Sequence, residues 1–190
     1  NLKLSEGLRF IKGGAFYQSK ADRIIIPHSV EKIDGSAFQG GSIETVILLG
    51  GSLNYVDRSF YNCTNLKHIV LPSDYKTQDP GEFFVGLGLE YDFTNCDSIE
   101  DVVLYYSPQT IEELSGRFSV CPFQSDVSNS ILYVPQASLD IYRSSRDWNV
   151  FGEIRPIVNA TGISFEKKEL TVCIGDIIDN KVIYTPNNTT

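Results

Sequence analysis

The feature that most constrains this chain is an internal repeat of about 22 residues. In each unit, two apolar residues flank a single intervening position. The first members of these pairs, at steps of 22, 22, 23 and 33 residues, are Leu2, Ile24, Val46, Ile69 and Val102. A further pair, Leu132 and Val134, follows 30 residues later. Because self-similarity at a period of roughly 20–50 residues is typical of stacked repeat units, the chain is predicted to form a solenoid.

The chemistry of one unit predicts a short strand followed by a return segment. The apolar-x-apolar segments are rich in β-branched residues, which favour strands. Pro27, Pro72 and Pro135 come directly after such segments, where the missing N–H ends strand pairing. One unit cannot bury its apolar side alone, so stacked units share a core, with parallel strands about 4.8 Å apart. We therefore expect a right-handed β/α superhelix, mostly parallel β, with short helical or irregular returns.

A second set of equivalent positions carries aromatic rings, which we name the phenylalanine column. Its members are Phe16, Phe38, Phe60 and Phe93. They are predicted to stack inside the solenoid, opposite the sheet. Cys63 and Cys96 each follow a member of this column by three residues, so they should occupy equivalent positions in neighbouring coils. Such a separation allows a disulfide, but the favoured interpretation is two buried free thiols that pack as small apolar groups.

The repeat resembles a known family. The segment Ile-Ile-Ile-Pro-His-Ser-Val-Glu-Lys-Ile-Asp-Gly-Ser-Ala-Phe, residues 24–38, is similar to the BspA-like leucine-rich repeats of bacterial surface proteins. Cys63 and Cys96 match the closing cysteine of the family pattern. Residues 130–157 resemble the terminal cap of the same family, in which Trp148 and Phe151 would close the apolar end of the core and Ser138 would cap a short helix. The resemblance implies a leucine-rich repeat solenoid over residues 1–157.

The C-terminal residues, 158–190, follow a different pattern. Segments 162–165, 170–176 and 182–186 read as strands without the repeat, and they resemble the opening of a group-2 bacterial Ig-like domain. An Ig-like sandwich needs about 100 residues. We therefore expect an incomplete Ig-like segment, a partial β-sandwich.

Composition and motifs exclude several classes of function. The net charge of −8 disfavours nucleic acid as a partner, because phosphate contacts need clustered basic residues. No apolar run approaches the ~18 residues of a membrane helix, so no membrane span is predicted. We find no nucleophile with a base, no phosphate loop and no metal-ligand spacing, and His28 and His68 are expected to be surface residues. The sequence thus predicts no catalytic residues, no metal site, no cofactor and no enzymatic activity.

Two regions are predicted as candidate binding surface. The middle residue of each strand should point away from the core, and a contiguous exposed apolar row indicates a partner. These residues are Ile25, Ile47, Val70, Val103 and Tyr133. The alternative is that β-branched residues here only favour the strand. The second region is the insertion between Pro72 and Phe93, where Tyr75 and Tyr91 are candidate ligand contacts.

The leading functional hypothesis is a non-enzymatic binding or adhesion module that uses the solenoid face for protein–protein contact. The family resemblance implies a cell-surface or secreted protein, with host matrix or cell-surface proteins as partners. The alternative is a carbohydrate-binding or positioning module of a larger secreted protein. In that case tyrosines would stack on sugars, at Tyr75, Tyr91, Tyr105, Tyr106 and Tyr133. A spacer that binds nothing is a third possibility.

Overall fold

The computed structural model describes residues 2–50, 55–56, 58–75, 93–117, 123, 125–158, 160–165 and 182–186. The chain divides into two compact units, Asn1–Pro156 and Ile157–Thr190. Each unit is treated by itself below.

The first unit is built on a seven-stranded sheet in which the spatial order of the strands follows the chain. Its strands are β1 (Leu2–Lys3), β3 (Arg23–Ile26), β5 (Thr45–Leu48), β7 (His68–Leu71), β8 (Asp101–Leu104), β9 (Ile131–Val134) and β10 (Glu153–Pro156). Every neighbouring pair is parallel. The register places the residues of the predicted apolar column next to one another, as in Ile24 opposite Val46 and Val46 opposite Ile69. The predicted leucine-rich repeat solenoid of mostly parallel strands is confirmed.

The return segments contribute a second, smaller sheet and short helices. Strands β2 (Phe10–Ile11), β4 (Lys32–Ile33) and β6 (Tyr55–Val56) form a three-stranded parallel sheet. Helices α1 (Ile111–Arg117) and α2 (Leu139–Ser144) follow β8 and β9, and a 3₁₀ turn at Gln136–Ser138 leads into α2. The sequence predicted short helical or irregular returns but did not locate α1, and it did not predict the strands of the return segments.

The core lies between the main sheet and the phenylalanine column. Along the four-residue strands β5, β7, β8 and β9, half-buried and buried residues alternate, because successive side chains of a strand point to opposite faces. On the return side the phenylalanine rings stack nearly parallel, with centroids 5.1 Å, 5.0 Å and 5.3 Å apart from Phe16 to Phe93. Phe123 continues the stack at 5.0 Å, and it stands nine residues before Leu132, as Phe93 does before Val102. The prediction of internally stacked phenylalanines is confirmed.

The two cysteines lie beside this stack and both are free and buried. The Cys63 thiol donates a hydrogen bond to the Phe38 carbonyl, and the Cys96 thiol makes the same bond to Phe60, each at 3.2 Å. This placement agrees with the favoured interpretation as stacked thiols, and the choice between thiols and a disulfide stays a prediction. Each thiol donates a hydrogen bond to a buried carbonyl of the preceding coil, and this bond favours the inward orientation of the cysteine side chain.

The end of the solenoid after β9 is closed by aromatic side chains. Trp148 and Phe151 are buried, and the Trp148 ring meets Tyr142 of α2 edge-on at 5.4 Å. Phe151 also meets Phe123 edge-on, which ends the stack of parallel rings. The prediction that Ser138 caps the helix is wrong: its hydroxyl donates to the Pro108 carbonyl at 2.7 Å instead. Strand β10 was not predicted.

The second unit is described by two strands. β11 (Ala160–Phe165) and β12 (Val182–Pro186) pair antiparallel, with a register shift between Ala160 and Gly162. The predicted strand 170–176 lies outside the described residues. The Ig-like assignment of this segment stays a prediction.

Candidate binding surface

The outward face of the main sheet carries the predicted apolar row, which we call the outward row: Ile25, Ile47, Val70, Val103 and Tyr133. The sheet register places each member directly opposite the next one on the neighbouring strand. All five side chains are half-buried, because each packs against the members beside it while its outer side meets solvent. The structure thus brings five of the seven predicted surface residues together in one line.

Two apolar side chains that the surface prediction omitted extend this row. Leu49 and Tyr105 follow β5 and β8, and their N–H groups donate to Ile26 and Leu71 at 3.1 Å, which prolongs the strand pairing. Both therefore point outward, with 39% and 49% of their surface exposed. The outward row together with Leu49 and Tyr105 is called the apolar strip below.

The apolar strip contains an open depression of about 580 Å³. Its lining residues are Ile47, Leu48, Leu49, Val70, Pro72, Ser73 and Tyr105. Gly50 allows the chain to turn sharply here, because its φ of +77° is one that residues with a side chain rarely adopt. A Cβ at this position would also lie 2.5 Å from Pro72 Cβ, which is too close. The depression is therefore apolar and shaped in part by a glycine turn.

A sequence signal for Leu49 and Tyr105 was present. Three of the six repeat strands are followed directly by a proline, at Pro27, Pro72 and Pro135. In the units of β5 and β8 this position holds leucine and tyrosine, which can donate a hydrogen bond and continue the strand. A large apolar residue in place of a repeated proline therefore marks a strand that extends farther and shows one more side chain outward.

Polar side chains run along one side of the outward row, and we call them the polar border: Arg23, Thr45, His68 and Asp101. They occupy neighbouring positions in the sheet register, two residues before the outward row on each strand. His68 Nδ1 lies 2.7 Å from Asp101 Oδ2, and both side chains remain partly exposed. This pair keeps a charged group directly beside Val70 and Val103. The border makes the face amphipathic across its width.

The last strand adds an exposed ion pair at the end of the outward row. Arg155 is opposite Tyr133 and binds the Glu153 carboxylate through two nitrogens, at 2.6 Å and 2.5 Å. Its hydrogen bonds lower the pKa of Glu153 and raise that of Arg155. The ion pair marks the end of the apolar strip on the side of β10. Because both groups are well solvated, the pair contributes little to the stability of the fold.

Tyr75 does not belong to the candidate surface. Its N–H bonds the Pro72 carbonyl in a tight turn, and its side chain is 0% exposed within the core. The prediction that Tyr75 contacts a ligand is wrong, because the turn after β7 directs the ring inward rather than into a loop. Tyr91 lies outside the described residues.

The remaining tyrosines of the carbohydrate hypothesis differ in their exposure. Tyr106 is partly buried against the core, and its carbonyl accepts the Tyr142 hydroxyl at 3.0 Å. Tyr133 is half-buried within the outward row. Tyr105 therefore offers the most accessible ring face of the three.

The described residues hold no group of three or more His, Cys, Asp or Glu side chains that could bind a metal ion. His28 Nδ1 lies 3.0 Å from the Gly50 carbonyl oxygen. Burial raises the pKa of the Cys63 thiol to about 11 and raises that of Cys96 as well, so neither is a reactive thiolate at neutral pH. In the part of the chain that is described, no helix is long and apolar enough to cross a membrane.

A comparison with protein families found one match. Residues 1–85 match the BspA type leucine rich repeat region, in six copies. No curated protein and no solved structure matched the chain.

Proposed function

Because residues 1–85 carry BspA-type leucine-rich repeats, we propose that the solenoid is a non-enzymatic module that binds a protein through the apolar strip. The observation that carries the proposal is the contiguous line of outward apolar side chains, with Leu49 and Tyr105 exposed beside an apolar depression. A solvated sheet face usually alternates apolar-in with polar-out residues. Here apolar residues occupy the outer side of five neighbouring strands. A contiguous exposed apolar surface of this kind is typical of protein contact sites.

The dimensions of the strip limit the partner. Four strand spacings separate Ile25 from Tyr133, which corresponds to about 19 Å. A stable interface buries about 800 Å² on each side. The partner must therefore cover the polar border as well as the strip, and its apolar side chains would anchor in the depression while polar groups meet His68 and Asp101.

Location and adhesion belong to the same proposal. The repeat family supports a cell-surface or secreted protein, and a rigid solenoid suits adhesion to matrix or cell-surface proteins. The net charge of −8 favours partners with basic surfaces, because complementary charge speeds association and discourages acidic competitors.

The experiment replaces two central residues of the strip. Ile47→Glu with Val70→Glu places two charges on the wall of the depression. The matched control, Thr64→Glu with Ser98→Glu, adds the same charge at exposed positions outside the strip. Both variants and the parent chain are applied to immobilised matrix proteins and to a glycan array, after circular dichroism has shown that each is folded.

The proposal predicts that the parent and the control bind at least one protein and that the strip variant loses this binding by about tenfold or more. Equal binding by all three chains would place the contact elsewhere. Binding to glycans alone would favour the alternative, a carbohydrate-binding or positioning module. The exposed Tyr105 ring supports that alternative because a flat ring can stack on a sugar, and Tyr105→Ala should then abolish the glycan signal.

A further inference from the structure

A second surface of the first unit lies on the return segments, across the core from the main sheet. It combines tyrosine rings with amide side chains at the two positions that directly follow members of the phenylalanine column. Because the phenylalanine rings point into the core, the side chains beside them point away from it. We call this surface the tyrosine–amide patch, and its residues are Tyr17, Gln18, Gln39, Tyr61, Asn62 and Asn95.

Hydrogen bonds between coils hold the patch in register. The Gln18 N–H donates to the Gln39 carbonyl at 2.9 Å. One coil later, the Gly40 N–H donates to the Tyr61 carbonyl at the same distance. Because such bonds keep the coils about 4.8 Å apart, Tyr17 and Tyr61 lie about 10 Å from each other, with Gln39 between them. Tyr17 is 54% exposed, and Gln39 and Tyr61 are half-buried.

The backbone of Gln18 is strained in a way that its equivalent in the next coil is not. Its φ of +53° lies in the left-handed region, which Gly40 adopts freely at +67° because glycine has no Cβ. A glutamine at this φ costs stability that a glycine would not. The Gln18 side chain occupies the space that Gly40 leaves, with its Cγ 3.5 Å from where a Cβ of Gly40 would stand. Strain of this kind is concentrated at functional sites, which indicates that the Gln18 amide has a use at the surface.

The polar groups of the patch suit a ligand rich in hydroxyl groups. The Asn95 amide donates to Asn62 Oδ1 at 2.9 Å and so joins two coils at the surface. In the part of the chain that is described, the side chains of Tyr17, Gln18 and Gln39 make no hydrogen bond, so they are available to a ligand. An amide both donates and accepts, as a sugar hydroxyl does, and a tyrosine ring offers a flat apolar face. The patch contains no charged side chain, although the chain carries a net charge of −8.

We infer that the tyrosine–amide patch binds a neutral, extended polysaccharide of β-1,4-linked pyranose rings, which runs across the coils. A pyranose ring is about as long as one coil spacing, so successive rings lie over Tyr17, Gln39 and Tyr61. In a β-1,4-linked chain every second ring has the same orientation, so the two tyrosines meet equivalent ring faces. A protein partner fits less well, because the patch is narrow and a stable protein interface buries about 800 Å² on each side. This site does not depend on the apolar strip.

The test measures the binding of soluble hexasaccharides to the full chain by isothermal titration calorimetry. Cellohexaose and chitohexaose are β-1,4-linked and extended, whereas maltohexaose is α-1,4-linked and coiled. Tyr17→Ala removes the exposed ring, and Gln18→Gly removes the amide together with the strained φ. The matched control, Phe10→Ala, removes a ring of similar exposure, 46%, that lies outside the patch. Thermal unfolding by circular dichroism is recorded for each chain.

The inference predicts that the parent and Phe10→Ala bind at least one of the β-1,4-linked hexasaccharides equally well and bind maltohexaose more weakly. Tyr17→Ala should weaken this binding by about two- to tenfold, because one stacking face is lost. Gln18→Gly should weaken it by a similar factor of about two to ten, through the lost hydrogen bonds. The same change should raise the midpoint of unfolding by about 2–4 °C, so the loss of binding cannot result from unfolding.

Three results would overturn the inference. The first is a parent chain that binds neither β-1,4-linked hexasaccharide; a protein partner that is then lost in Tyr17→Ala would assign the patch to protein contact. The second is equal binding by Tyr17→Ala and Phe10→Ala. The third is a loss of hexasaccharide binding in Tyr105→Ala but not in Tyr17→Ala, which would place the sugar on the main sheet.

Discussion

Replacing Phe60 with alanine is expected to destabilise the solenoid far more than the same change at Phe16. Phe60 lies in the middle of the phenylalanine column, is 0% exposed, and stacks on Phe38 at 5.0 Å and on Phe93 at 5.3 Å. Phe16 belongs to the same column, but it is partly exposed and stacks on one ring. Comparing Phe60→Ala with Phe16→Ala therefore isolates the effect of burial, because the residue removed is the same in both variants.

The structure sets the size of each effect. Truncation of a buried phenylalanine to alanine costs about 3–5 kcal/mol, and two stacked neighbours place Phe60→Ala near the upper limit, about 5 kcal/mol. Phe16→Ala should cost about 2 kcal/mol, because only part of its surface leaves water on folding. At about 2–4 °C for each kcal/mol, the midpoints should fall by roughly 10–20 °C and 4–8 °C.

The assays are thermal unfolding and urea unfolding, each followed by far-UV circular dichroism and by the fluorescence of Trp148, the single tryptophan. Trp148 lies in the cap, so coincident transitions would show that coils and cap unfold together. Equal losses for Phe60→Ala and Phe16→Ala would refute the stacked column as the centre of the core.

Two further predictions concern the cap and the thiols. Trp148→Ala should cost about 3–5 kcal/mol, because Trp148 is 1% exposed; an unchanged urea midpoint by circular dichroism would contradict its role in closing the core. Burial raises the pKa of Cys63 from 9.0 to about 11, which means that the folded state disfavours the thiolate. The resulting stabilisation is complete below pH 9 and is lost as the pH rises to about 11. The urea midpoint should fall over this interval less in Cys63→Ala than in the parent chain, and identical pH dependence in both would show that the buried thiol contributes nothing.

The repeat made much of the first unit predictable. In a parallel solenoid, residues at the same position of successive repeat units are neighbours in the sheet. The pairing of Ile24 with Val46 could therefore be predicted from the repeat spacing alone. Alternation along a strand then placed Ile47 and Val70 on the outward face. These inferences depend on local periodicity, which the sequence displays directly.

Features outside the period were harder to predict. Strand β10 carries no copy of the repeat, yet it pairs in parallel with β9 along four residues. Helix α1 did have a local signal. Thr110 Oγ1 accepts the Glu113 N–H at 3.1 Å, while the Glu113 carboxylate accepts the Gln109 N–H at 2.7 Å, which closely resembles a capping box.

The direction of a turn was the main source of error at the candidate surface. Tyr75 follows a strand-ending proline, and nothing in its neighbours distinguishes a ring that enters the core from one that faces solvent. The direction of the Tyr75 ring depends on the space available between coils, which is set by tertiary packing and not by the local sequence. Leu49 was not predicted, and Tyr105 was named only among the sugar-stacking tyrosines, because the outward position of both follows from extra strand pairing.

Cysteine pairs on the outward row test the stacking of coils most directly. Ile25→Cys with Ile47→Cys joins residues that are opposite each other on neighbouring strands, at about the Cα separation of roughly 4.4–6.8 Å that a disulfide accepts. Ile25→Cys with Val70→Cys joins residues two strands apart, about 10 Å. After mild oxidation, peptide mass spectrometry should find an intramolecular disulfide in the first variant and none in the second. A disulfide between positions 25 and 70, or none between 25 and 47, would contradict a solenoid with these coils in register.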